Sequence, residues 1–202
     1  EKLGYHVVAI DNSDDMLSCA KQKAAKINSK IDFQKQDIRS LNISGQLFDA
    51  AVCLFDSIGY VETNEALIMM LKGVHRHLRQ DGLFLFEFWH AGAMLAHYDP
   101  IRVRRWSIPN AELLRIAETE LDYKRQAGIV SYHIYELRKD GTYNDFKEVQ
   151  VNRYFLVQEM ALLLSTTGFE VVKWFSGFDQ EALITSETWH VVCLARKVGM
   201  PT

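Results

Sequence analysis

The sequence predicts an α/β fold built on a doubly wound parallel sheet, and the order of its segments supports this. Continuous apolar runs at 7–10, 47–55 and 83–89 alternate with amphipathic stretches. Runs of this length are typical of strands buried on both faces, as in parallel sheets covered by helices. The order strand, helix, strand, strand, helix, strand over residues 7–89 therefore favours a doubly wound sheet.

The first of these strands is the most informative. Val7 to Ile10 leads into Asp11, which is followed by Asn12 and Ser13. An acid at the carboxyl end of a buried parallel strand faces the crevice in which open α/β sheets bind nucleotides, where it can accept hydrogen bonds from a ribose diol. The alternative is that Asp11 only complements the dipole of the next helix.

Apolar residues at helical spacing predict helices over 15–27, 63–78 and 159–167. A short strand is expected at 31–34, and the pair Asp81-Gly82 is expected to separate the second helix from the strand at 83–89. The strands at 169–175 and 189–196 are expected to be antiparallel, because the loop between them is too short for a helical crossover.

Residues 111–155 have a different texture. Apolar residues tend to alternate there, and Asp140-Gly141 is a hairpin turn signal. Three antiparallel strands are predicted, at about 112–124, 128–138 and 143–155. An insert of this size is too long for a simple connection and indicates a lid or an interface. We therefore expect one domain from 1–110 and 156–202, with 111–155 as the insert.

Composition excludes several classes. The chain has 202 residues and a net charge of −3, so it lacks the basic footprint of a nucleic-acid-binding protein. No apolar run approaches the ~18 residues of a membrane helix. The 3 cysteines are far apart and contain no CxxC pair, which argues against a zinc site or a disulfide framework. A reducing cytoplasm is the expected location.

An ordered set of short motifs completes the pattern. They are Asp11, Ser13-x-x-Met16-Leu17, Asp37-Ile38, Phe48-Asp49-x-x-x-Cys53-Leu54-Phe55 and His77-Leu78-x-x-x-Gly82, followed by the terminal antiparallel pair. In this order the chain resembles the class I S-adenosylmethionine-dependent methyltransferases. The resemblance implies a Rossmann-like sheet, S-adenosylmethionine as cofactor and cofactor binding by the 1–110 and 156–202 domain.

A narrower resemblance rests on three further motifs: Phe86-x-Phe88-Trp89, Arg102-x-Arg104-Arg105-Trp106 and Asn152-Arg153-Tyr154-Phe155. They are similar to those of small-molecule methyltransferases that N-methylate nucleotide-linked amino sugars. This implies a small-molecule acceptor, with an amine favoured over a hydroxyl, and no nucleic-acid or membrane partner. It also implies that the insert covers the substrate and pairs two subunits as a homodimer.

The resemblance assigns residues to the cofactor. Asp11 would bind the ribose hydroxyls, and Asp37 would accept from the adenine amino group while the Ile38 N–H points to a ring nitrogen. The other implied cofactor residues are Asn12, Ser13, Met16, Leu54 and Phe55, the last two beside the methionine portion. The alternatives stay open: turn and cap residues for the polar members, a surface acid for Asp37 and core positions for the apolar ones.

On the acceptor side, Tyr60 and His90 are the implied catalytic residues, and Asp56 is a further candidate to orient an amine or hydroxyl. Ser57, Trp89 and Arg153 are the implied substrate residues. His90 could instead be an exposed loop histidine, and Arg153 could brace the insert through an internal acid. No metal site is expected.

One departure from the family pattern is large. The family's first strand and its G-x-G-x-G turn would precede Glu1, so we expect the natural protein to be longer. Without that strand, the sheet would have unpaired edges near its centre. Two other functions stay open at this stage: a cofactor-free remnant that serves as a binding or dimerisation module, and a nicotinamide-dependent dehydrogenase, which also uses an acid after its second strand.

Overall fold

The computed structural model describes residues 2–199; Glu1 and residues 200–202, which the domain prediction included, lie outside this range. Its strands are β1 (Val8–Asp11), β2 (Asp32–Lys35), β3 (Phe48–Cys53), β4 (Leu78–His90), β5 (Ile101–Ile108), β6 (Ala111–Asp122), β7 (Ala127–Arg138), β8 (Tyr143–Phe155), β9 (Phe169–Ser176) and β10 (His190–Lys197). Its α-helices are α1 (Asp14–Lys26), α2 (Asn64–His77), α3 (Ala91–His97) and α4 (Val157–Thr166). Over residues 2–199, no helix is long and apolar enough to cross a membrane.

The predicted α/β, Rossmann-like fold is confirmed. β1 pairs with β2 in parallel, and β3 pairs with β4 in parallel. β10 pairs antiparallel with both β4 and β9, as expected for the terminal strands. Among the described residues, β1 pairs only with β2, so these two strands form a sheet apart from the other eight. β3 pairs only with β4, within the eight-stranded sheet.

β4 begins earlier than predicted. Asp81 and Gly82 do not separate α2 from the strand, because β4 already starts at Leu78, directly after the helix. The register against β3 shifts from Phe48 opposite Leu78 to Ala50 opposite Leu83, so the additional residues form a bulge. Asp81 has φ +61°, and a Cβ on Gly82 would lie 2.9 Å from the Arg79 carbonyl oxygen. The turn signal is therefore real, but it marks a bulge within the strand.

The main core lies on one face of the large sheet. Alternate residues of β4, namely Phe84, Phe86 and Phe88, point to this face and are buried. They pack with the apolar sides of α2 and α4 in one cluster. The other face is less covered within the described residues, since Val52 is 61% exposed and Leu83 is 37% exposed.

The insert has four antiparallel strands rather than three, because β5 pairs with β6 along its whole length. All eight residues of β5 are exposed, and three of them are arginines. The sequence prediction of the insert began at residue 111 and therefore missed this charged edge strand. β6, β7 and β8 continue the sheet, and Gly141 has the positive φ of the predicted hairpin turn.

β8 connects the insert to the main sheet. Its residues up to Arg153 pair with β7, and its last two, Tyr154 and Phe155, pair in parallel with Trp89 and His90 of β4. β4 pairs with β3 only as far as Phe86, so β8 joins β4 beyond that point. The insert therefore stands at the carboxyl end of β4.

Candidate functional site

The carboxyl end of β1 presents Asp11. Its Oδ1 accepts the Ser13 backbone N–H at 2.8 Å, and Ser13 in turn caps α1 by accepting the Met16 N–H at 3.3 Å. Within residues 2–199, Asp11 Oδ2 has no protein hydrogen bond, so one carboxylate oxygen is free for a diol. Asn12 is exposed beside it, and Met16 is 60% exposed. This arrangement fits a ribose-binding acid while also containing the predicted cap.

At the end of β2, Asp37 begins a short 3₁₀ helix, Ile38–Ser40. Its carboxylate accepts the Arg39 backbone N–H at 2.9 Å and both Nε and Nη2 of the Arg39 side chain. The Arg39 side chain holds the pKa of Asp37 below its usual value. Asp37 is thus ionised and can accept from an adenine amino group, but it would share its oxygens with Arg39. Ile38 packs against the main core.

β3 ends in a sharp turn at the predicted methyl-transfer region. Phe55 and Asp56 both have φ +56°, a left-handed conformation that non-glycine residues rarely adopt. The turn leaves the Phe55 side chain 87% exposed and directs Asp56 into the protein, where it is 3% exposed. Ser57 Oγ donates to the Leu54 carbonyl oxygen at 2.8 Å, which holds the turn. Strain of this kind is concentrated at functional sites.

Asp56 connects the ends of β3 and β4. Its backbone N–H donates to Glu87 Oε1 at 3.1 Å, and its Oδ1 accepts the Trp89 N–H at 3.1 Å. Asp56 Oδ2 is buried and has no hydrogen-bond partner among the described residues. Burial raises the pKa of Asp56 well above its ordinary value, the Trp89 hydrogen bond opposes this, and the charge of Glu87 adds to it. Burial therefore favours the protonated form of Asp56 over the ionised one.

Glu87 is the second buried acid of this region, at 3% exposure. Burial raises the pKa of the neighbouring Cys53 thiol to about 12, and the charges of Asp56 and Glu87 raise it further. Cys53 is therefore an unreactive thiol. Sequence analysis missed Glu87 because it sits inside an aromatic strand whose pattern indicates only burial.

Tyr60 lies at the end of the 3₁₀ helix Ser57–Tyr60 and faces the insert. Burial raises the pKa of its hydroxyl, and the charge of Asp56, then Glu148, adds to this, while a hydrogen bond from the Asn152 side chain opposes it. The ring remains 47% exposed. Tyr60 therefore presents a protonated hydroxyl between the β3 turn and the insert.

His90 and Trp89 stand at the end of β4. His90 Nδ1 lies 3.2 Å from the Thr188 carbonyl oxygen, which favours the tautomer with the proton on Nδ1 and a free acceptor at Nε2. A Cβ on Gly92 would lie 2.7 Å from the His90 ring, so the imidazole rests on this glycine. Trp89 packs with Met94 and Tyr154 in a small cluster below the insert, which places it as support for the site.

Arg153 is buried and pairs with an internal acid, so it is not exposed to bind a substrate. Its guanidinium donates to Glu159 Oε1 of α4 at 2.6 Å and stacks over Phe155 at 4.8 Å, and the residue is 4% exposed. Its Nε is buried without a partner among the described residues. The contact to Glu159 braces β8 against α4, so the structure does not bring Arg153 into the open cleft beside Tyr60.

A cavity of about 920 Å³ lies elsewhere, between residues 39–47 and α2. None of the site residues predicted from the sequence lines it, and it contains no buried acid. Most of the predicted residues instead lie at or just beyond the carboxyl ends of β1 to β4.

Comparisons with known proteins agree with this geometry. Residues 1–82 match the family model described as "Methyltransferase domain". The Bacillus subtilis (strain 168) protein named "Putative methyltransferase YqeM" is 28% identical over 185 residues, covering 91% of this chain and 73% of that protein.

Two solved structures share the fold. One is an S-adenosylmethionine-dependent methyltransferase from Clostridium acetobutylicum, with TM-score 0.84, 20% identity, and coverage of 96% of this chain and 76% of that one. The other is CalS10 from Micromonospora echinaspora, an amino pentose methyltransferase solved with S-adenosylmethionine, with TM-score 0.75, 16% identity, and coverage of 96% and 74%.

These matches favour the methyltransferase interpretation over the dehydrogenase alternative, and they agree with the acid-bearing strand ends. Residues 1–82 are thus similar to a methyltransferase domain, and the chain shares its fold with solved S-adenosylmethionine-dependent methyltransferases.

Proposed function

We propose that the protein transfers a methyl group from S-adenosylmethionine to a small-molecule amine. The observation that carries this is that Asp11, Asp37 and the strained Phe55-Asp56 turn each lie at or just beyond the carboxyl end of a strand, β1, β2 and β3 respectively. Asp11 would hold the ribose through its free Oδ2, Asp37 and the Ile38 N–H would hold the adenine, and Leu54 and Phe55 would border the methionine part. The cofactor supplies an electrophilic sulfonium methyl, so the protein needs mainly to orient the acceptor.

The acceptor would enter between the β3 turn and the insert. There the Tyr60 hydroxyl can orient an amine or hydroxyl, and Ser57 lies on the same turn. An amine is favoured because CalS10, which shares the fold, is an amino pentose methyltransferase.

An amine must lose a proton in order to present its lone pair. His90 Nε2 is a suitable acceptor for that proton, because the contact of Nδ1 with the Thr188 carbonyl oxygen keeps the ring proton on Nδ1. Tyr60 is protonated and would donate or accept a hydrogen bond without changing charge. Proton removal through His90 is therefore the step that we assign to this chain's own residues.

The first test is isothermal titration of S-adenosylhomocysteine into the protein expressed from its native gene. We expect micromolar binding that weakens at least tenfold in Asp11→Asn, because the ribose loses an ionised acceptor. Asp15→Asn is the matched control, since Asp15 is exposed in the first turn of α1, the helix that follows Asp11. Absence of binding in the unaltered protein would sink the proposal and favour the cofactor-free remnant.

The second test concerns the acceptor. The protein is incubated with S-adenosylmethionine and a panel of primary amines and matched alcohols, and the products are read by mass spectrometry. We expect the amines to gain about 14 Da, the mass of one CH₂ group. Methylation of alcohols alone would overturn the amine assignment while leaving methyl transfer intact.

We also propose a homodimer formed through the insert, and activity in the cytoplasm. The face of the insert sheet that carries Ile101, Val103 and Val149 supports the dimer, because these residues are 63%, 59% and 63% exposed. Three free cysteines support a reducing compartment. Sedimentation should give a dimer that Val103→Lys weakens; a monomer at all concentrations would overturn the dimer proposal.

A further inference from the structure

One face of the insert sheet, here called the inner face, meets the Tyr60 loop. Residues directly opposed in an antiparallel ladder project to the same side. The register opposes Arg104 to Arg115 and Tyr132 to Glu148, and alternate residues of β8 place Asn152 on the same side as Glu148. Asn152, Glu148 and Tyr132 all act on the Tyr60 hydroxyl. The inner face therefore continues from Tyr60 outward to the two arginines.

Arg104 and Arg115 differ from the neighbouring arginines in their partners. Arg102 pairs with Asp99 at 2.7 Å, and Arg105 lies 3.7 Å from Glu112. For Arg104 and Arg115, the described part of the chain provides no ion pair and no side-chain hydrogen bond. Like charges directly opposed on a sheet are destabilising. The charge repulsion of the pair is thus not offset by an ion pair within the described residues.

The Arg115 guanidinium is held in place by two aromatic rings. Its Cζ lies 5.2 Å from the centroid of Trp106 and 5.2 Å from that of Tyr132. Beside it is a cavity of about 140 Å³ lined by Arg115, Tyr132, Ile134, Glu148 and Gln150. The one acid there, Glu148, accepts from Gln150 Nε2 at 2.8 Å and forms no ion pair with Arg115. The guanidinium is therefore oriented while its donors remain free.

Two arginines at directly opposed positions on one face of a sheet, neither with an ion-pair partner among the described residues, suit an oxyanion, which arginine binds through paired N–H groups. We propose that Arg104 and Arg115 form a binding site for an anionic group, a phosphate or a carboxylate, of the methyl acceptor. The link to the acceptor rests on the proposed function; the anion site itself does not.

The position of the site sets a minimum length for the acceptor. Arg115 lies on β6, two strands away from β8, or about 10 Å across the sheet at ordinary strand spacing. An acceptor held by its anionic group at Arg115, with its nucleophile beside Tyr60, must therefore bridge β6 and the Tyr60 loop. Very small amines would leave the site empty.

The experiment uses inorganic phosphate and acetate as probes, read by thermal unfolding at constant ionic strength with sodium chloride as the reference salt. We expect a saturable increase in Tm with phosphate, with acetate or with both, and the active probe identifies the anion class. In Arg104→Gln and in Arg115→Gln, the apparent affinity should fall at least tenfold, because one guanidinium is lost. Arg105→Gln, which loses a paired arginine of the same strand, is the matched control and should respond as the unaltered protein does.

A second readout needs no ligand. In anion-free buffer, Arg104→Gln should raise Tm by about 1–4 °C, because the opposed charges no longer repel and Arg104 has no aromatic contact to lose among the described residues. The proposal is overturned if neither probe exceeds the sodium chloride reference, or if Arg105→Gln loses the response equally. Titration of S-adenosylhomocysteine into Arg115→Gln should give the unaltered affinity. Failure of the unaltered protein to bind that compound would count against the proposed function alone.

Discussion

The backbone N–H of Asp56 donates to the buried carboxylate of Glu87 at 3.1 Å, across the ends of two neighbouring parallel strands. Asp56 returns a bond to β4 by accepting the Trp89 N–H. Two acids that are both 3% exposed thus hold the turn that follows β3. Because the second carboxyl oxygen of Asp56 has no partner, this turn depends on the protonation state of one residue.

The first prediction concerns pH. Burial raises the pKa of Asp56 in the folded protein above its unfolded value of about 4. Its stabilising effect is therefore complete below pH ~4 and is lost as pH rises through the raised pKa. Asp56→Asn cannot ionise, so its Tm minus that of the unaltered protein should grow by about 2 °C or more between pH 5 and 8. A constant difference would show that Asp56 does not titrate in this range.

The second prediction concerns Gly59. A Cβ at this position would lie 2.7 Å from Asp56 Oδ2 and 3.1 Å from the Arg153 carbonyl oxygen. Gly59→Ala should therefore displace the Asp56 turn, cost about 1–3 kcal/mol of unfolding free energy and reduce methyl transfer. Gly199→Ala, where a Cβ meets nothing within 4 Å, is the control. Urea unfolding together with activity assays would measure both effects, and equal behaviour of the two variants would contradict the prediction.

The third prediction concerns the brace between β8 and α4. Glu159→Gln removes the charge that neutralises buried Arg153 at 2.6 Å. Breaking a fully buried pair from one side costs about 3–5 kcal/mol, and since the Glu159 side chain is 24% exposed we expect a loss below that range. Asp99→Asn breaks the exposed pair with Arg102 and should cost at most about 1 kcal/mol. Urea unfolding of both variants checks this, and a small effect of Glu159→Gln would argue that water compensates Arg153.

The fourth prediction separates His90 from cofactor binding. His90→Gln keeps a polar side chain at this position but cannot take up a proton, so kcat should fall about 10²-fold or more with amine acceptors. Binding of S-adenosylhomocysteine should stay within a factor of about 2, because His90 is assigned to the acceptor side. An unchanged kcat would remove His90 from the proton route and leave Tyr60 and solvent as candidates.

The parts of the fold that were predicted correctly are those determined by local sequence. Apolar runs located β1, β3 and the main part of β4, and the Asp140-Gly141 signal located the hairpin between β7 and β8. β5 was missed because its arginines suggested an exposed charged segment, whereas its pairing with β6 depends on contacts that the local sequence does not show. The Asp81-Gly82 bulge was misplaced, because a turn signal does not reveal whether the neighbouring strand continues on both sides.

The site divides in the same way. Asp11 was predicted from its position after a strand and Asp37 from the family resemblance, and both assignments stay predictions. The Asp56–Glu87 contact joins residues 31 positions apart, and the stacking of Arg115 between Trp106 and Tyr132 requires the register of three strands. Contacts of this kind follow from pairing between distant segments, which no local pattern encodes.

The sharing of β8 by both halves of the molecule limits how the insert can move. Tyr154 and Phe155 are laddered to Trp89 and His90, while the same strand runs on through the insert without a break. A flap on a flexible tether could swing independently of its base, whereas this arrangement behaves as a lever rigidly joined to β4. A displacement of the outer strands would be transmitted through β8 to Trp89 and His90. Binding of a methyl acceptor at the insert and the alignment of these two residues would therefore be coupled.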